Sequence, residues 1–128
     1  MKLEHFAINV EDPINMAKWY VQHLGLSIIK QQQQAPFMTF LADDSGQIMI
    51  EIYKNPIDQV PKYRDMHPLI VHLAFVSETP DRDRTRLEEA GAITVSNDIL
   101  DDGSHLVMMR DPWGLAIQLC KRATAMLR

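Results

Sequence analysis

The sequence has one cysteine, no basic cluster and no long apolar run, and each absence argues against a class of protein. Cys120 has no second cysteine to pair with, which disfavours a disulfide scaffold and fits a reducing compartment. The net charge of −4, without an Arg/Lys face that carries interleaved aromatics, argues against a nucleic-acid partner. No apolar stretch approaches the roughly 18 residues of a membrane span, and no signal peptide precedes the first strand-like run. We therefore expect a cytoplasmic protein with no membrane partner.

The length and composition favour one domain with its own core. The chain has 128 residues, of which 46% are hydrophobic, and it is too short for two independent domains. We predict a single domain over residues 1–121 and a C-terminal tail over residues 122–128.

An internal repeat with an offset of 67 residues is the most informative feature of this chain. His5 opens one strand-like run and His72 opens another, 67 positions later. Glu51 and Gln118 lie inside apolar strand patterns and are separated by the same offset. Each half therefore carries one imidazole and one carboxyl-type side chain at matched positions.

Periodicity predicts an α+β fold with two βαβββ repeats, 1–54 and 69–121, joined by a proline-containing linker over residues 55–68. Asp12-Pro13 and Thr79-Pro80 are N-terminal helix signals, and Gly25 and Gly91 end the two helical patterns. The predicted strands are 2–10, 26–33, 36–41, 48–53, 69–77, 93–97, 105–110 and 115–120.

Strand parity predicts where the polar side chains point. Because successive side chains alternate across a sheet, Ile50 and Ile117 face the helices while Glu51 and Gln118 face the other way. The same argument places His5 opposite Phe6 and Ile8, and His72 opposite Leu73 and Phe75. If the two sheets curl toward each other, the four polar side chains line one mostly apolar cleft of the kind that binds a small molecule.

At these residues the chain resembles the vicinal oxygen chelate superfamily, which includes glyoxalase I, bleomycin-resistance proteins and extradiol dioxygenases. Trp19-Tyr20-Val21-Gln22-His23-Leu24-Gly25-Leu26 is similar to the family's helix end, and Asp111-Pro112-Trp113-Gly114 with the strand after it is similar to its closing motif. The resemblance covers essentially residues 1–121. It implies curled sheets with helices outside, a divalent metal ion, and ligands at His5, Glu51, His72 and Gln118.

Two departures from the family pattern bear on the chemistry. Gln118 stands where most metal enzymes of the family have Glu, and Leu115 replaces the usual Asn. Two imidazoles, a carboxylate and an amide oxygen still suit Zn, Ni, Co, Mn or Fe. An amide cannot exchange protons near neutral pH, so Glu51 is the expected catalytic base, with a residue elsewhere or metal-bound hydroxide as the alternatives.

Other conspicuous residues have simpler explanations. A lone histidine on a strand is usually structural, and Glu51 taken alone fits an edge residue that faces solvent. We expect His105 to start a strand that faces solvent, although it could reach the pocket, and we do not expect His23 or His67 to be ligands. Cys120 is expected to be a small core residue because no base is identifiable beside it.

Three functions remain open on the sequence. The resemblance favours a metal-dependent enzyme of the glyoxalase I type, a lactoylglutathione lyase relative that stabilises an enediolate of a small substrate with vicinal oxygens. The alternatives are a metal-free protein that sequesters a ligand, like the bleomycin-resistance proteins, and an Fe(II) dioxygenase that uses His5, His72 and Glu51. Family analogy also implies a homodimer with the site between subunits.

Overall fold

The structure is a computed structural model that describes residues 1–127 and divides the chain into two compact units, Met1–Pro61 and Lys62–Arg128. Each unit is one βαβββ repeat, so the predicted fold class is confirmed. No helix within residues 1–127 is long and apolar enough to cross a membrane. The elements of the first unit are β1 (His5–Asn9), α1 (Pro13–Leu24), β2 (Ser27–Gln31), β3 (Thr39–Ala42) and β4 (Met49–Tyr53). Those of the second are β5 (Leu73–Val76), α2 (Pro80–Glu89), β6 (Ile93–Ile99), β7 (His105–Arg110) and β8 (Ala116–Lys121).

The first sheet has the strand order β1-β4-β3-β2, and β1 runs parallel to β4. Helix α1 begins as predicted, since an Asp12 carboxylate oxygen accepts the backbone N–H of Asn15 at 3.2 Å and Pro13 follows the cap. It ends at Gly25, whose φ of 73° is the left-handed conformation that glycine adopts without strain. Tyr20 of α1 and Ile52 of β4 are both fully buried, which places the core of this unit on the helix side of the sheet.

The second sheet repeats the first, with the order β5-β8-β7-β6 and β5 parallel to β8. Helix α2 packs on β7 and β8, with Leu87 fully buried. Thr79 occupies the predicted cap position, but within residues 1–127 its side chain makes no capping hydrogen bond. The Ser77 hydroxyl instead donates to Asp83 in the first turn, at 2.5 Å.

A turn that begins with Asp and ends with Gly precedes the last strand in both units. The N–H of Gly114 donates to the carbonyl of Asp111 at 2.9 Å, and the N–H of Gly46 donates to the carbonyl of Asp43 at 3.1 Å. The two turns differ in burial, since Asp111 is fully buried. Its carboxylate accepts the N–H groups of Trp113 and Leu115, each at 2.9 Å, and so satisfies donors that water cannot reach.

Three local predictions differ from the structure. Strand β5 begins at Leu73 and not at Leu69, because the N–H of Ile70 donates to the His67 carbonyl and closes a turn there. Phe6, predicted to lie under the helix with Ile8, is 45% exposed, whereas Ile8 is buried. The segment predicted as a patternless linker contains a 3-10 turn over Tyr63–Asp65.

That segment is bound to the second unit by Arg110. One guanidinium nitrogen donates to the carbonyls of Tyr63 and Gly114, at 2.9 and 3.0 Å, and the other donates to the carbonyl of Met66 at 2.7 Å. Gly114 makes this close approach possible, because a Cβ there would lie 2.7 Å from the Cβ of Arg64. Charged donors on backbone carbonyls form strong hydrogen bonds, so Arg110 fixes the chain from Tyr63 to Met66.

The burial of Asp111 predicts an asymmetry between the two repeats. Asp111→Ala leaves the N–H groups of Trp113 and Leu115 without this acceptor and should lower the free energy of unfolding by about 2–6 kcal/mol, since each such loss costs about 1–3 kcal/mol. Asp44→Ala, at the matching position of the first repeat, is the control and should change stability by less than about 0.5 kcal/mol. Urea unfolding followed by circular dichroism measures both, and equal effects of the two substitutions would contradict this account.

Candidate metal and ligand site

The first unit brings two of the four predicted ligands together. Strands β1 and β4 pair in parallel with Ala7 opposite Glu51, so His5 and Glu51 lie on the same face of the sheet, away from α1. His5 Nε2 lies 3.2 Å from a carboxylate oxygen of Glu51. The Glu51 side chain is 13% exposed and that of His5 is 35% exposed, so the pair is partly shielded and still open on one side.

The second ring nitrogen of His5 also faces a carboxylate. Nδ1 lies 3.0 Å from an Oε of Glu4, and the edge of the ring contacts Phe40 with a centroid distance of 5.5 Å. A neutral imidazole has only one N–H, so it can donate to only one of the two carboxylates. The other contact needs a second proton or a cation. A ring that donates Nδ1–H to Glu4 turns the Nε2 lone pair toward Glu51, the arrangement typical of a metal-bound histidine with a carboxylate behind it.

The distance between His5 Nε2 and Glu51 fits two ligands of one ion. Ligand atoms about 2.1 Å from a metal lie roughly 3.0–3.4 Å apart when they occupy neighbouring positions of its coordination sphere. The observed 3.2 Å falls in that range. The donor chemistry and the spacing of this pair therefore suit a divalent cation.

In the second unit His72 is oriented in a comparable way. Its Nδ1 lies 3.0 Å from the carbonyl oxygen of Pro68, directly before β5. Because a carbonyl only accepts, Nδ1 must carry the proton, which leaves Nε2 of the neutral ring as a lone-pair donor. A backbone carbonyl behind the ring is a common way to hold a metal-binding histidine in place.

Gln118 lies in β8, opposite Ala74 of β5 and Met108 of β7. Its amide oxygen accepts the thiol of Cys120 at 3.2 Å. The thiol is buried, and this burial raises its pKa. The contact orients the Gln118 amide. Burial makes Cys120 a poor nucleophile, consistent with its predicted structural role.

An open pocket of about 870 Å³ occupies the face of the second sheet on which Gln118 lies. Its lining combines seven apolar residues with six polar ones, which are three aspartates, His67, Ser96 and Gln118. The lining consists of His67, Pro68, Leu69, Val95, Ser96, Asp98, Ile99, Leu100, Asp101, Asp102, Leu106, Met108 and Gln118. Such a mixture of an apolar wall and a few polar groups is typical of small-molecule sites.

Sequence reasoning missed His67 as a residue of this pocket because the linker shows no periodicity. The sequence does carry one signal, the pair His67-Pro68 directly before the second repeat. Strand parity says nothing about this pair because it lies outside the predicted strands. His105, which the sequence left open as a pocket residue, does not line this pocket, and its Nε2 donates to the amide oxygen of Asn97 at 2.6 Å.

Among residues 1–127 no group of three or more His, Cys, Asp or Glu side chains is positioned to hold a metal ion. The structure thus brings His5 and Glu51 together in one unit, and places His72 and Gln118 at matching positions of the other. Each unit is a sheet with helices on one face and polar, ligand-type residues on the opposite face.

An open sheet with a helix on one face, repeated with matched polar positions, defines a class of small-molecule-binding α+β proteins. The family model of the glyoxalase/bleomycin resistance protein/dioxygenase superfamily matches residues 2–119. The chain therefore belongs to this superfamily, which confirms the resemblance seen in the sequence.

Solved structures share the fold at low sequence identity. A glyoxalase family protein from Bacillus cereus has a TM-score of 0.77 at 16% identity, with 94% of this chain and 93% of that chain covered. TnmS3, an antibiotic binding protein from Streptomyces sp. CB03234, has a TM-score of 0.72 at 18% identity, with 94% of both chains covered. Lactoylglutathione lyase from Agrobacterium tumefaciens has a TM-score of 0.68 at 19% identity, with 92% and 91% covered. No curated protein matches the chain at a significant level of similarity.

The raised pKa of Cys120 predicts slow thiol chemistry. At pH 8 the fraction of thiolate is smaller than in a free cysteine, so the native protein should react with iodoacetamide more slowly than the urea-unfolded protein. Mass spectrometry of the alkylated chain over time measures both rates. Reaction of the native protein at the unfolded rate would show that Cys120 is accessible and would remove its proposed part in orienting Gln118.

Proposed function

We propose that this protein is a metal-dependent enzyme of the glyoxalase type that acts on a small substrate with vicinal oxygens. The observation that carries the proposal is the His5–Glu51 pair, in which an imidazole nitrogen and a carboxylate oxygen lie 3.2 Å apart. Membership of the superfamily is consistent with this chemistry.

The metal would be held by His5, Glu51, His72 and Gln118, two residues from each repeat. His5 is supported by Glu4, His72 by the Pro68 carbonyl, and Gln118 by Cys120. When bound, a divalent ion such as Zn, Ni, Co, Mn or Fe would polarise neighbouring substrate oxygens and make the adjacent carbon more acidic.

Glu51 is the side chain among these four that can move a proton. It would take a proton from the substrate carbon and return it to the neighbouring carbon, while the amide of Gln118 binds without exchanging protons. The low exposure of Glu51, 13%, limits competition from water. With one base the reaction would run on one face of the substrate.

We also propose that the chain forms a homodimer. Each repeat supplies only two of the four proposed ligands, so the two pairs must combine to complete one coordination sphere. In a twofold dimer each of two equivalent sites would take His5 and Glu51 from one chain and His72 and Gln118 from its partner. Sedimentation velocity at micromolar concentration should give a species of about twice the chain mass. A stable monomer that binds one metal ion would contradict the exchanged arrangement and favour closure within one chain.

A metal-free, ligand-sequestering protein is the second candidate, and the 870 Å³ pocket of the second unit is the observation that favours it. TnmS3 is described as an antibiotic binding protein and shares the fold. Metal content separates the two functions, because stoichiometric metal in the purified protein supports the enzyme. If that metal is iron, dioxygenase chemistry is favoured over isomerisation.

Removal of either histidine should abolish metal binding without unfolding the protein. His5→Ala and His72→Ala each remove one imidazole from a partly exposed face, so stoichiometric metal should be lost while the circular dichroism spectrum is unchanged. His23→Ala, at the end of α1, is the control and should keep its metal. In the wild type, added metal should raise the Tm. Once the metal is in excess over the protein, the increase should follow the logarithm of the metal concentration. Unchanged metal content in either variant would contradict the proposed ligand set.

Gln118→Glu should restore a second carboxylate and with it a stronger enzyme. The added charge should tighten metal retention against a chelator, and the added base should raise turnover of a hemithioacetal by about 10²- to 10⁴-fold. Gln47→Glu adds the same charge in the exposed turn before β4 and should change neither property.

Glu51→Gln should lower activity in the same assay. If Gln118→Glu binds metal and still leaves hemithioacetal isomerisation undetectable, the isomerase function is wrong and a different reaction on another substrate must be sought.

A further inference from the structure

His67 and His72 lie five residues apart in one turn, and their rings are held in opposite tautomers. The Nδ1 of His72 donates to the Pro68 carbonyl, at 3.0 Å. The Nδ1 of His67 accepts the backbone N–H of Leu69, at 3.1 Å. A nitrogen that accepts carries no proton, so the neutral ring of His67 has its N–H at Nε2. One imidazole thus presents a lone pair at Nε2 and the other presents a hydrogen-bond donor.

The main chain around His67 is fixed on both sides. The Met66 carbonyl, directly before it, accepts from Arg110 at 2.7 Å, and the His67 carbonyl itself accepts the N–H of Ile70 at 2.9 Å. Together with the bond from Leu69 to Nδ1, these contacts hold both the backbone and the ring plane. A donor held in advance loses little entropy when a ligand binds to it.

His67 lines the same pocket as Gln118, Leu106 and Met108. Its Nδ1 is occupied by the backbone, which leaves the Nε2–H edge as the free hydrogen-bonding edge of the ring. The other polar side chains of the lining include three aspartates, which as carboxylates only accept hydrogen bonds. Ser96 and Gln118 also carry donors on this wall, but His67 differs from them in that its ring is held by a backbone hydrogen bond with Nε2–H left to donate.

We propose that His67 is a specificity-determining residue of this pocket, whose Nε2–H donates a hydrogen bond to a carbonyl or hydroxyl oxygen of an uncharged, mainly apolar ligand. The inference rests on the proposed function because it assumes that the substrate binds on the face of the second sheet on which Gln118 lies. The ligand oxygen is neutral, since a carboxylate would meet the repulsion of Asp98, Asp101 and Asp102.

The test uses two neutral dyes that differ in one acceptor, and protein kept free of metal with a chelator. Prodan carries a ketone on a dimethylaminonaphthalene ring, and 2-dimethylaminonaphthalene lacks that ketone. His67→Phe keeps an aromatic ring of similar size and removes the donor, so prodan should bind about threefold to tenfold more weakly to the variant. Binding of the ketone-free dye should be unchanged. His23→Phe, a matched change in the other unit, should affect neither dye.

Nuclear magnetic resonance locates the contact independently of affinity. Long-range ¹H–¹⁵N spectra should show the Nε2–H tautomer of His67, and prodan should shift that Nε2 signal together with the methyl signals of Leu106 and Met108. An Nδ1–H tautomer, a silent His67 signal, or equal weakening of both dyes in His67→Phe would each overturn the proposal. Because no metal is present, these results do not depend on whether the protein is a metal enzyme.

Discussion

The contact between His5 and Glu51 fixes the position of two ligand-type side chains, and the proposed metal site depends on it. It exists because β1 and β4 are parallel neighbours whose register sets the two side chains on the face opposite α1. Two carboxylates, those of Glu4 and Glu51, flank a ring that can donate to one of them when neutral. A second ring proton or a bound cation would satisfy both contacts. A buried core of Tyr20 and Ile52 on the other side of the sheet holds the strands that bring the two residues together.

The second unit uses the same architecture with different supporting contacts. A carbonyl orients His72, a thiol orients Gln118, and Arg110 binds the chain that precedes the repeat. These contacts hold the ligand-type residues at positions that match those of the first unit. Gln118 is uncharged, whereas Glu51 at the matching position carries a carboxylate. The two halves therefore share strand geometry and differ in side chains, with the carboxylate of Glu51 in the first unit and the open pocket in the second.

The fold could be predicted from the sequence because its signals are local and occur twice. Helix α1 is specified by Asp12-Pro13 at its start and Gly25 at its end, and β4 by the alternation around Glu51. The same signals in the second repeat support each assignment. Periodicity does not predict the start of β5 or the place of His67 in the pocket, because both depend on a turn closed by Ile70 and on Arg110, which is 44 residues away from Met66 in the sequence. Strand parity identified the faces of His5 and Glu51. The contacts of Glu4, Pro68 and Cys120 are local in sequence, but they depend on side-chain rotamers and on the turn before β5, which leave no periodic pattern.

The measurement that tests the central claim most directly is X-ray absorption spectroscopy of the protein loaded with one equivalent of Co²⁺ or Zn²⁺. The account predicts a first shell of nitrogen and oxygen alone, with the multiple-scattering signature of two imidazoles from His5 and His72. A sulfur neighbour, which would implicate Cys120, or a shell without imidazole would contradict it.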